Sequence, residues 1–96
     1  MADPQHDAAE IRKRRIVFRA WHRGTREMDL LLGRFAEEFV DSLSEPEIAS
    51  LERLMEVPDP DLYNWIVGAA SAPAEYDDPL LQRIRVFHLK LGDAAS

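Results

Sequence analysis

Thr25-Arg26-Glu27-Met28-Asp29-Leu30-Leu31-Leu32-Gly33-Arg34-Phe35-Ala36-Glu37-Glu38-Phe39 is the stretch that decides the fold class. Met28, Leu31, Leu32, Phe35 and Phe39, with Leu43 beyond them, recur at steps of three and four. That spacing gathers apolar side chains on one face of an α-helix. Thr25 stands where an N-cap belongs, since its hydroxyl can accept one of the unpaired N–H groups of the first turn. Glu27 and Asp29 then fall at the positive end of the helix dipole. Gly33 lies inside the helix, at a cost of about 1 kcal/mol relative to alanine. Close approach of a neighbouring helix explains a glycine there.

Upstream, Asp7 and Glu10 have capping-box spacing, so a first helix is expected from Asp7 to about His22. Its apolar face is narrow and comprises Ile11, Ile16, Val17, Phe18, Ala20 and Trp21. Gly24 ends it, because glycine accepts the left-handed conformation that closes helices. Downstream, Ser44-Glu45-Pro46-Glu47 is a second capping box, with proline in the turn where its missing N–H is not needed. Ile48, Leu51, Leu54 and Met55 form the stripe of the third helix, which Val57-Pro58 ends. Asp59-Pro60-Asp61 opens a fourth, with Asp59 as cap, Leu62, Trp65 and Ile66 facing inward, and Gly68 as stop. Residues 69–77 read as a loop. Asp78-Pro79 opens a fifth helix carrying Leu80, Leu81, Ile84, Phe87, His88 and Leu91, stopped by Gly92. No segment alternates as a strand would. The expectation is an all-α, compact single-domain bundle of about five helices over residues 9–92, with unstructured tails over 1–8 and 93–96.

A chain of 96 residues fits one domain, and 46% hydrophobic with 31% charged residues fits a folded one. The absence of cysteine excludes disulfides and thiolate metal sites. The longest apolar run is too short to cross a bilayer. Asp3 and Asp7 argue against a secretory signal or a transit peptide, so a soluble intracellular protein is expected. The net charge of −6 is unevenly spread. Arg12, Lys13, Arg14, Arg15, Arg19, Arg23 and Arg26 hold seven of the twelve basic residues in fifteen positions. From Glu27 to Asp78, fourteen acids face only Arg34 and Arg53. Such polarisation suits electrostatic docking, or else a solvated face that balances the acidic helices.

Catalysis finds no support in the pattern. His6 falls in the N-terminal tail, His88 lies near an apolar stripe as a half-buried packing residue, and His22 has no cysteine or elbow serine beside it. No histidine pair has metal-ligand spacing, and Gly24, Gly33, Gly68 and Gly92 are isolated rather than gathered in a phosphate loop. No catalytic, cofactor-binding or metal-binding residue is therefore expected. A nucleic-acid or regulatory binding module using the basic first helix is the alternative class, opposed by the overall acidity. A protein-docking module is the leading class. Its natural working surface is Arg23-Gly24-Thr25-Arg26-Glu27, a helix junction where two guanidinium groups can grip carboxylates and Glu27 can pair with Arg23 or accept from a partner. Capping alone also accounts for Gly24 and Glu27.

The run from Phe18 through Arg23-Gly24-Thr25-Arg26-Glu27 to Phe35 resembles the succinate dehydrogenase flavinylation (FAD assembly) factor family, which is small, five-helical and marked by Arg-Gly-x-x-Glu. A second family-like pattern stands at Asp59-Pro60-Asp61-Leu62-Tyr63-Asn64-Trp65, and the resemblance covers roughly residues 11–91. It implies an assembly chaperone, not an enzyme. Such a factor binds the flavoprotein subunit of succinate dehydrogenase, and in some bacteria fumarate reductase, and promotes covalent attachment of FAD to a histidine of that client. It implies that FAD ends on the client with none held stably by the factor. The free factor is expected to be a monomer without nucleic acid or membrane insertion and, since no transit peptide is visible, to work in the bacterial cytoplasm rather than the mitochondrial matrix. Carried over by position, the partner-binding residues are Arg23, Gly24 and Glu27; Arg15, His22, Thr25 and Arg26 join them on physical grounds as neighbours.

Overall fold

Helix-forming periodicity governs the whole backbone. The computed structural model describes residues 4–95, with side chains over 8–92. It contains α1 (Pro4–Trp21), α2 (Arg26–Phe39), a 3-10 turn (Val40–Ser42), α3 (Glu45–Met55), α4 (Asp59–Val67) and α5 (Pro79–Ala95), with no strand among the described residues. The all-α class and the five helices are those expected from the sequence. Two compact units divide the chain, residues 1–42 and residues 43–96.

In the first unit α1 packs against α2. Ile16 and Ala20 of α1 are buried, as are Met28, Leu31, Leu32, Phe35 and Ala36 of α2. The predicted stripe of α2 is thus the apolar core of this unit. Only Phe39, at its end, is half-buried. Two residues read as part of the α1 apolar face are not in it: Ile11 is 47% exposed and Phe18 is 63% exposed. Helical geometry gives the reason. At 3.6 residues per turn, positions two apart point to nearly opposite sides, so Phe18 turns away when Ile16 and Ala20 turn in.

In the second unit α3 and α4 both pack on α5. Ile48, Leu51, Leu54 and Met55 of α3, Leu62 and Ile66 of α4, and Leu80, Leu81 and Ile84 of α5 are buried. Trp65, read as inward-facing, is half-buried and tilts against Tyr76 at 5.3 Å between ring centroids. His88 is half-buried with its ring edge-on to Tyr63. The 69–77 loop is tied down: Arg53 donates to the Glu75 carbonyl at 2.9 Å and lies over the Tyr76 ring, while Arg85 pairs with Asp77 at 3.4 Å.

The helix ends test the capping logic one by one. Ser44 and Glu47 form the full box that was expected. Asp78 accepts from the Leu81 N–H at 3.0 Å, and Gly68 closes α4 at φ +83°. Three boundaries differ. The N-cap of α4 is Pro58 and not Asp59, which becomes the first helical residue and serves the dipole from inside the turn. Helix α1 starts at Pro4, ahead of the Asp7 box, because proline is tolerated in a first turn. Helix α5 runs through Gly92 to Ala95. A glycine stops a helix when it takes positive φ, and among the described glycines only Gly24 and Gly68 do so. Helix therefore reaches into both stretches read as tails. Residues 1–3 and 96 lie outside the described residues.

Candidate docking surface at the turn between α1 and α2

The turn is set by two opposing demands. Helix α1 must end with its last carbonyls satisfied, and α2 must begin with its N–H groups satisfied. Gly24 has φ +116°, a conformation that side-chain-bearing residues rarely adopt. The chain can therefore reverse there within four residues, from Trp21 to Arg26. Thr25 caps α2 as predicted: it is extended, and its hydroxyl accepts from the Met28 N–H at 3.3 Å. Arg26 and Glu27 follow as the first helical residues, and both are exposed.

Asp29 plays a part that its position in the sequence did not announce. Beyond serving the dipole, its Oδ1 accepts from the backbone N–H of Arg23 at 2.5 Å and of Gly24 at 3.2 Å. Two backbone donors that the turn would otherwise leave without a helical partner are thus satisfied from the next helix. The charged acceptor strengthens both bonds and fixes where the Arg23–Gly24 peptide lies.

Trp21 fixes the other side. A Cβ at Gly33 would lie 2.6 Å from Cε2 and from Cε3 of the Trp21 ring. The indole therefore rests flat on the bare backbone of α2. One turn further along α2, Glu37 accepts from the indole N–H at 2.8 Å. The glycine expected to mark a close helix approach instead receives an aromatic side chain. The sequence held the clue in Gly33 but not the identity of what lies on it, because Trp21 also fitted a core position.

The sequence-predicted site residues divide into a contiguous group and one outlier. His22, Arg23, Gly24 and Thr25 form the turn and Arg26 and Glu27 open α2 beside it, with Arg23 half-buried and the other five exposed. His22 Nδ1–H donates to the Phe18 carbonyl at 2.6 Å, which places the proton on Nδ1 and leaves Nε2 free of that bond. Its ring stacks on Phe18 at 4.1 Å. Arg15 lies two turns back on α1, in a shallow hollow with Ile11, Arg14, Phe18 and Arg19. A second groove, between α1 and α2, is bordered by Phe18, Trp21, His22 and Glu37. Phe18 belongs to both, so it links Arg15 to the turn. It is the site residue that the sequence reading misplaced. Its two-residue offset from Ile16 and Ala20 was the signal.

The arrangement offers cations, the exposed Glu27 carboxylate and an exposed aromatic ring on a braced backbone, groups suited to recognising a partner surface. Among the described residues, no group of three or more histidine, aspartate or glutamate side chains could hold a metal ion, and no helix is long and apolar enough to cross a membrane.

Comparisons with known proteins bear on this surface. A family model described as flavinator of succinate dehydrogenase matches residues 14–88, which include the turn and the Asp59–Trp65 pattern. FAD assembly factor SdhE of Acetobacter pasteurianus is 41% identical over 78 residues, 81% of this chain and 72% of that protein. Succinate dehydrogenase assembly factor 2, mitochondrial, of Dictyostelium discoideum is 33% identical over 82 residues, 83% of this chain and 58% of that protein. The protein of the same name from Meyerozyma guilliermondii is 41% identical over 59 residues, 62% of this chain and 44% of that protein. The chain thus spans about half the length of these two mitochondrial relatives.

Proposed function

The chain belongs to the family of flavinators of succinate dehydrogenase, and from that premise we propose that it is an assembly factor that docks on the flavoprotein subunit of succinate dehydrogenase and promotes covalent attachment of FAD to it. The observation that carries this reading is the turn of residues 23–27: its backbone is held by Asp29 while Arg26 and Glu27 remain exposed. A surface braced in this way loses little conformational freedom when it docks, and that saving appears as affinity.

Division of labour follows from the chemistry. Attachment requires the flavin and the acceptor histidine of the client to be held in reacting geometry, and such positioning can remove much of a barrier without a catalytic group. The client holds FAD; this chain holds the client. Arg23 and Arg26 supply guanidinium donors suited to carboxylates, and Glu27 accepts from a donor on the partner. Gly24, with nothing within 4 Å of where a Cβ would stand, lets a partner backbone come close. Phe18 and Ile11, flanked by Arg14 and Arg15, extend the face along α1. On this reading the chain keeps no flavin of its own, is monomeric when free, and works in the cytoplasm, as its likeness to a bacterial factor supports. Fumarate reductase, the related flavoprotein, is a second client.

Titration against the purified flavoprotein subunit tests the docking. The wild-type chain binds, and Glu27→Ala weakens binding about tenfold, the cost of losing one contact of about 1.4 kcal/mol. A parallel titration with duplex DNA separates the other class. Salt-sensitive DNA binding by α1, with no binding to the flavoprotein, would overturn the assignment.

A further inference from the structure

We propose that Trp21 and Asp29 are positioning residues that set the docking turn from opposite ends, Trp21 by seating the end of α1 on Gly33 and Glu37, and Asp29 by holding the Arg23 and Gly24 amides. The inference rests on the docking reading given above. Neither residue is a contact group: each acts through the turn between them.

The turn lacks packing of its own at Gly24. Gly24 at φ +116° has no side chain, and nothing lies within 4 Å of where one would start. Packing does not hold it. A glycine in open space samples many conformations, so the turn would be mobile unless its polar backbone groups were tied. Asp29 ties two adjacent N–H groups with one carboxylate oxygen, at 2.5 and 3.2 Å. The tie comes from α2, so it fixes the turn relative to the helix that carries Glu27.

Asp29 does not hold the end of α1, where the buried Ala20 is followed by Trp21. Trp21 is the last residue of α1 and the one nearest the turn on that side. Its ring covers Gly33, where even a methyl group would collide, and its N–H reaches Glu37 at 2.8 Å. The ring gives contact area and the N–H gives direction, so the indole cannot slide along α2 without losing one of them. The two ties bracket Arg23 and Gly24. Their shared effect is to hold Arg23 and Glu27 at a constant separation, although they belong to different sides of a flexible glycine. Preorganisation of that kind raises affinity by lowering the entropy lost on docking.

Four full-length variants test it: Asp29→Ala, Asp29→Asn, Gly33→Ala and Trp21→Phe, each read beside wild type and Glu27→Ala. Three measurements are made at a temperature where circular dichroism shows every compared chain folded. They are backbone amide exchange at Arg23 and Gly24 by NMR, exchange at α3 amides as an internal standard, and affinity for the purified flavoprotein subunit. Asp29→Ala and Gly33→Ala should speed exchange at Arg23 and Gly24 about tenfold, leave α3 amides unchanged, and weaken client affinity about five- to tenfold. Asp29→Asn keeps an acceptor oxygen and should restore most of both. Trp21→Phe keeps a ring but loses the N–H, should fall between wild type and Gly33→Ala, and decides the point if Gly33→Ala does not fold. Glu27→Ala should weaken affinity with amide exchange unchanged. If Asp29→Ala and Trp21→Phe fold, exchange as wild type and bind within about twofold of it while Glu27→Ala binds about tenfold more weakly, positioning is overturned and docking stands. If the wild-type chain does not bind the flavoprotein, docking falls, and unchanged amide exchange in Asp29→Ala would overturn the tie as well.

Discussion

Gly24 and Gly33 are the same residue type used for opposite reasons. Gly24 has room but the wrong torsion for a side chain, whereas Gly33 has an ordinary helical torsion and no room. Substitution therefore separates them. Gly24→Ala should destabilise the chain by about 1–3 kcal/mol through backbone strain alone, read by chemical denaturation. Gly33→Ala instead displaces the indole, so its signature is a changed Trp21 fluorescence spectrum together with lost stability; an unchanged spectrum would contradict the seat. Both glycines were legible in the sequence as special, one as a helix stop and the other as a close approach. What the sequence could not supply was the partner. Trp21 fitted the apolar face of α1 as well as Ile16 did, and only the rotation of α1 about its axis decides that Ile16 is fully buried while Trp21 is half-buried over Gly33. The same rotation exposes Phe18. Asp29 was hidden for a different reason: an acid in a first turn is already explained by the dipole, so a second duty leaves no separate mark.

Local signals were strongest in the helices and in the caps that start them. The capping box of α3 has both halves, with the Ser44 N–H donating to Glu47 Oε1 at 2.8 Å and the Glu47 N–H donating to Ser44 Oγ at 3.3 Å. Ser44→Ala should cost about 1 kcal/mol, visible as a melting temperature lower by about 4–8 °C for a domain of this size. Arg83 of α5 donates to the other oxygen of Glu47 at 2.8 Å. The bonds from Ser44, and then the charge of Arg83, hold the Glu47 carboxyl below the ordinary glutamate value. Its folded-state pKa is depressed, so its contribution to stability is present above the unfolded value and is lost as pH falls through the folded one. A melting series below about pH 5 should therefore show the acid decline flattened in Glu47→Gln relative to wild type; parallel curves would contradict it. Helix ends were less legible. The pattern placed Asp59 as cap and Gly92 as stop, yet α4 starts from Pro58 and α5 passes Gly92. A cap depends on backbone torsions that neighbouring residues share, and one residue type does not determine them.

Across the whole chain the decisive feature is where charge and exposed apolar surface coincide. Seven of twelve basic residues lie within residues 12–26, on α1, the turn that follows it and the first position of α2, in a chain of net charge −6. Docking through that face should be steered electrostatically. Raising ionic strength from about 0.05 to about 0.5 M should slow association with the flavoprotein while changing dissociation little, as stopped-flow mixing would read. The composition showed the polarity, but the class of partner proposed rests on the Arg-Gly-x-x-Glu resemblance and on the family match over residues 14–88. The most direct measurement follows the product. In cells lacking their own assembly factor, flavin fluorescence of the denatured flavoprotein subunit reports FAD that has become covalent. Expression of this chain should restore the fluorescent band, and expression of a folded Glu27→Ala variant should leave it weak. A band as strong with Glu27→Ala as with wild type, or no band with either, would contradict the account.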